Sequence, residues 1–186
     1  MKRFRIAGLF LLGLLFSACT TPPISIPLSD VSIDLDVVFD TNGAVVFPAD
    51  PLELEEPPPG TALASVVIAG VAELYPASDV TFEVYASDTD PSELGCAGSE
   101  SLAGISGYYI CENVCEDNEH CEKIGELKFA SDKPTDSFTF QGEVLTRGIN
   151  EQSLYLGLAI GGGSLQDGAT LKFTKMRAVI RLALGQ

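Results

Sequence analysis

Four cysteines, Cys96, Cys111, Cys115 and Cys121, lie close together and the last of them follows the only histidine, His120. Sulfur and imidazole in that order can crosslink the chain, hold a metal or carry nucleophilic chemistry. The spacing C-x3-C-x4-H-C fits no structural zinc pattern, and neighbours such as His120 and Cys121 point in different directions in most backbones. In an exported chain an even set of cysteines is most economically read as two disulfides. Sequence leaves three connectivities open; our expectation leans to Cys96 with Cys111 and Cys115 with Cys121.

Around these cysteines stand Glu112, Glu116, Asp117, Asn118 and Glu119, hard oxygen donors of the kind calcium takes. No stretch has EF-hand spacing, and Asp88-Thr89-Asp90 is too short to stand for one, so a solvated turn is the preferred reading. A Ser, His and Asp triad would have to be built on His120, inside an acidic, cysteine-bounded loop. The chain lacks a G-x-S-x-G elbow, a G-x-x-x-x-G-K-[ST] phosphate loop and a G-x-G-x-x-G turn. The glycines from Gly161 to Gly168 read as a hairpin loop between strands. Paired carboxylates could hydrolyse glycosides, but with 26 acidic residues no pair can be chosen without geometry. Without tryptophan, a sugar platform would fall to tyrosines, Tyr108-Tyr109 first among them.

The fifth cysteine belongs to different chemistry. Lys2, Arg3 and Arg5 precede an apolar run from Ile6 to Phe16 and the small pair Ser17-Ala18, the layout of a secretory signal. The run is about half of the roughly 20 residues that a spanning helix requires. Phe16-Ser17-Ala18-Cys19 resembles the lipobox of bacterial lipoproteins, with Phe16 in place of the commoner Leu. The resemblance covers this leader alone. It implies cleavage before Cys19, a diacylglyceryl group on the Cys19 thiol and membrane attachment on the extracytoplasmic side. With Thr20 rather than Asp next, it is compatible with the outer membrane where a cell has one. One chain holds a protein transiently, at about 0.8 kcal/mol per buried methylene, and two or three hold it firmly.

The elements that must position these groups are strands. Residues 1–18 read as the leader, and 19–29, TTPPISIPLS after the cysteine, as a proline-held tether. Residues 30–186 then form one domain, with a cysteine-rich insertion at about 94–123. Asp30 to Asp40 alternates apolar and acidic residues, a half-buried strand, and Thr41-Asn42-Gly43 offers a tight turn back into Ala44 to Phe47. Further strands are expected at Thr61 to Leu74, Val80 to Ala86, Ile124 to Phe129, Ser137 to Leu145, Ser153 to Ile160 and Thr170 to Leu184. In the last, the apolar parity changes between Phe173 and Met176, which predicts a bulge near Lys175. The aspartates of the first strand and Lys172, Arg177 and Arg181 of the last suggest that these two strands are neighbours.

About eight or nine short strands and no convincing amphipathic helix give an all-β antiparallel sandwich, with a β-barrel as the alternative. Charge narrows the partners. Without residues 1–18 the chain keeps eight basic residues against 26 acidic ones, net −18, and all eight lie from Lys123 onward. Such a chain is unsuited to nucleic acid. The expected protein is a lipid-anchored cell-envelope module, structural or protein-binding and not an enzyme, with no cofactor or metal. A carbohydrate- or calcium-binding module is the second reading and a carboxylate-dependent hydrolase the third.

Overall fold

Val80, Phe82, Val84 and Ala86 are buried and alternate with Thr81, Glu83 and Tyr85, so this stretch can present one face to a core while its backbone pairs on both sides. The same logic repeats along the chain. The computed structural model describes residues 22–35, 43–52, 62–98, 107–113, 115 and 118–183. In chain order these form β1 (Ile24–Pro27), β2 (Val31–Asp34), β3 (Val45–Pro48), β4 (Ala62–Tyr75), β5 (Val80–Ser87), β6 (Ala97–Gly98) and β7 (Tyr108–Cys111). Then follow β8 (Cys121–Phe129), β9 (Thr135–Gln141), α1 (Glu143–Glu151), β10 (Tyr155–Gly163) and β11 (Thr170–Ala183).

Two antiparallel sheets result. Sheet A has the order β1-β11-β4-β9, with β2 also on β11; sheet B has the order β6-β7-β3-β10-β5-β8. Phe138, Phe140, Leu171 and Phe173 of sheet A meet Phe82, Val84, Leu127 and Leu158 of sheet B in the main core. The β8–β9 turn, closed by an Ala130–Lys133 bridge, passes from one sheet to the other, and the sheets do not close into a barrel. The fold is the antiparallel sandwich, with β1, β6 and β7 as short strands beyond those legible in the sequence.

Sheet B is covered on its outer face as well. Val45, Phe47, Tyr155 and Ala159 point away from the main core and pack with Cys111, Cys121, Leu94 and Tyr85 in a second cluster. Gly157 lies beneath this cover: a Cβ there would stand 2.6 Å from Phe47 Cε1 and 2.7 Å from Val45 Cγ1, so only glycine admits the close approach.

Four local expectations are corrected, besides the hairpin loop expected from Gly161 to Gly168: Gly161–Gly163 end β10 in sheet B, and the chain then crosses to β11 in sheet A. First, β2 and β3 are not a hairpin. The end of the expected strand and the first two turn residues lie outside the described residues, but β2 pairs with β11 and β3 with β7 and β10, in different sheets. Val45, Val46 and Phe47 are all buried, which suits a strand covered on both faces rather than a half-exposed return. Second, Ile24–Pro27 is not tether: it pairs with Arg177–Ile180 of β11. Alternating Ile24 and Ile26 outweigh the prolines because the strand is at a sheet edge, where a missing N–H is tolerated.

Third, Ser137 to Leu145 is not one strand, because β9 ends at Gln141. Fourth, residues 143–151 form a helix, burying Val144, Leu145 and Gly148. In sequence Val144 continues the alternation of Phe138 and Phe140, so a strand pattern runs on into the start of this short, glycine-containing helix. Gln152, in the left-handed region, ends it.

The predicted bulge is present: Lys175 has φ 52° and the β11–β4 register shifts between Thr174 and Arg177. β2 and β11 are neighbours, although Lys172 stands opposite Ser32 rather than an aspartate, and Asp30 accepts the Lys175 backbone N–H at 3.3 Å.

Candidate functional site

Cys121 pairs with Ser87 at the β5–β8 end of sheet B, so the residues just outside the ladder, Asp88 and His120, are brought side by side. The Asp88 N–H donates to the His120 carbonyl at 3.3 Å. Across the same end runs α1, whose amino terminus is held by Glu122: the carboxylate accepts the Val144 N–H at 3.0 Å. Gly142 before the helix makes room for it, since a Cβ there would lie 2.6 Å from Glu122 Oε2. This docking carries Arg147 back over β5.

These three segments converge on one buried carboxylate. The Asp88 side chain is 1% exposed, and its Oδ1 lies 2.8 Å from His120 Nδ1 and 3.2 Å from the Thr89 hydroxyl that donates to it. Its other oxygen, Oδ2, accepts from Arg147 Nε, and the Arg147 guanidinium also donates to the Glu119 carbonyl. Asp88 thereby holds Arg147 above its ordinary pKa. Buried Ser87 turns inward, donating to the Thr89 carbonyl at 2.7 Å.

An Asp–His pair of this kind orients an imidazole for proton transfer when a nucleophile stands at the far nitrogen. Among the described residues, the polar partner of His120 Nε2 is instead the Glu119 carboxylate, at 3.8 Å. Three of the oxygen donors weighed for calcium are engaged locally. Asp88 is bound by a histidine and an arginine, Asp90 accepts the Ser92 N–H at 2.8 Å and Asn118 accepts the His120 N–H at 2.9 Å. Glu116 and Asp117 lie outside the described residues. Among the described residues no group of three or more His, Cys, Asp or Glu side chains is placed to hold a metal ion.

The sulfur atoms are bonded in pairs, Cys96 with Cys111 and Cys115 with Cys121, so the thiolate set of the zinc alternative does not exist here. The first bond joins the loop after β5 to β7, and the second ties the chain just before His120 to the start of β8. Cys19, with the residues Phe16-Ser17-Ala18 that resemble a lipobox, lies outside the described residues. Among those described, no helix is long and apolar enough to cross a membrane.

A second polar cluster lies on the outer face of sheet B. Lys123 Nζ is 2.6 Å from Glu83 and 2.8 Å from Glu126, Lys128 is 2.8 Å from Glu126, and the Tyr85 hydroxyl donates to Glu83 at 2.8 Å. The hydrogen bonds from Lys123 and Lys128 depress Glu126 to about 2, and those to Glu126 and Glu83 raise Lys123 to about 12.

Sequence reasoning found His120 and the cysteines but not Asp88 and Arg147 as their partners. Asp88 reads as one more turn aspartate, and Arg147 sits on the helix that was not foreseen. No protein-family model matches the chain, and no curated protein matches its sequence.

Proposed function

We propose that this chain is a lipid-anchored protein of the bacterial cell envelope, attached through acylated Cys19 on the extracytoplasmic side and acting as a non-enzymatic structural or protein-interaction module. The observation that carries the non-enzymatic part is the occupation of Asp88: both its oxygens are engaged by His120 and Arg147, which lock three segments of the fold together. At 1% exposure that carboxylate lies behind its own partners, away from any substrate or cation in solution. The two disulfides favour an oxidising compartment. The leader and Cys19 supply the anchor.

Metabolic labelling with a radioactive fatty acid, with Cys19→Ala as control, tests the anchor. Label is expected in the wild-type chain and absent from the variant; equal labelling, or none in either, contradicts the reading. A thermal scan with calcium, chelator and a panel of glycans tests the module. An unchanged midpoint is expected, because a ligand selective for the folded state must raise it; a rise with calcium or a glycan would move the function to the ligand-binding reading.

A further inference from the structure

The eight basic residues from Lys123 onward divide into two sets. Lys123, Lys128, Lys133 and Arg147 each contact a carboxylate. Lys172, Lys175, Arg177 and Arg181 are all exposed, all lie on β11, and among the described residues none forms an ion pair with a carboxylate.

Register places Arg177 and Arg181 on the outer face of sheet A, on the same side as Val67, Ala69 and Val71 of β4 and Thr139 of β9. Glu73 stands opposite Lys172, and Asp30 is engaged by the Lys175 backbone. At the rim of the same edge, β1 exposes Ile24 by 47% and Ile26 by 43%, with Leu28 and Val31 next to them. Ile24 and Ile26 are in register with Ile180 and Ala178, so they flank the strand edge from the side opposite the arginines. A surface that meets the edge contacts both.

We propose that this β1–β11 edge of sheet A docks on the anionic phospholipid headgroups of the membrane that holds Cys19. The inference rests on the anchoring reading and extends it to the orientation of the domain. Ile24 lies five positions after Cys19, a reach of at most about 17 Å, so the anchor keeps β1 close to the lipid surface. Basic side chains there are attracted by anionic headgroups, while acidic residues more than about 8 Å behind the contact are screened at physiological salt. The net charge of the chain therefore does not forbid local adhesion.

The test uses the native acylated protein reconstituted on vesicles of phosphatidylcholine, with or without phosphatidylglycerol. A membrane-impermeant amine reagent is applied and labelling is mapped by mass spectrometry. Lys172 and Lys175 are expected to label at least about threefold less on the anionic vesicles, while Lys123 and Lys128 on sheet B label equally on both. The double variant R177E/R181E keeps both reporter lysines and removes the protection, as does high salt. Equal labelling of Lys172 and Lys175 on the two vesicle types, with the protein bound to both, overturns the docking and leaves the anchor standing. Failure to bind either vesicle overturns both readings. Protection seen in intact cells but not on anionic vesicles assigns the edge to a non-lipid anionic partner and overturns the lipid occupant.

Discussion

Replacing Arg147 by alanine would leave the Asp88 carboxylate buried with a half-exposed histidine as its remaining ionisable partner. Breaking a fully buried pair costs about 3–5 kcal/mol, and because the Arg147 side chain is 39% exposed a loss of roughly 2–3 kcal/mol is expected in denaturant unfolding. A loss below roughly 0.5 kcal/mol would mean that Asp88 is held mainly by other groups. Gly157→Ala should cost about 1–3 kcal/mol through the clash with Phe47 and Val45, with the rest of the sheet register retained. The Lys123 cluster makes a pH prediction. Glu126 has a folded-state value depressed to about 2, so its contribution is present above the ordinary carboxylate value of 4.5 and is lost as pH falls toward 2. Lys123→Gln should move the Glu126 midpoint upward in an NMR titration; an unmoved midpoint would contradict the pairing.

At the scale of elements, α1 does more than cover the core. β9 accompanies β4 only from Val67 to Glu73, and beyond that point side chains of the helix take over the open edge. Thr146 Oγ1 accepts the Val66 N–H at 3.2 Å, while the Asn150 amide accepts the Leu63 N–H at 2.8 Å and donates to the Leu63 carbonyl at 3.0 Å. Four residues apart, the two side chains share one face of the helix. Asn150→Ala should leave both Leu63 groups unsatisfied and destabilise by about 1–3 kcal/mol, with the amides of Leu63 and Val66 exchanging faster; unchanged exchange would refute the edge substitution. None of this was legible beforehand, because the helix is short, has a glycine at its centre and owes its stability to β4, β5 and β8 rather than to its own propensity. What could be read were the strands whose period of two matches a half-buried face, such as Val80 to Ala86, and the bulge at Lys175, where the parity of apolar residues changes. The hairpin from Thr41-Asn42-Gly43 misled for the reverse reason. A turn sequence reports local geometry, whereas burial on both faces of β3 is decided by partners far away in the chain.

For the molecule as a whole, the two crosslinks close loops of unequal length, with sequence separations of 15 and 6 residues. On chain-entropy grounds removing the Cys96–Cys111 bond by double alanine substitution should cost about 3 kcal/mol, and removing Cys115–Cys121 about 2 kcal/mol. Both substitutions also disturb the cover over sheet B, where Cys111 and Cys121 are buried, so reduction is expected to lower the melting midpoint markedly. Compartment, crosslinks and anchor thus form one argument: on the proposed reading an oxidising location permits the bonds that hold the outer layer in place, and the leader with Cys19 would account for that location. The intact mass of the protein taken from its native membrane fraction tests that argument most directly. The account predicts a polypeptide starting at Cys19, heavier by its acyl chains and lighter by the four hydrogens lost to two disulfides. An unacylated chain with four free thiols would contradict it.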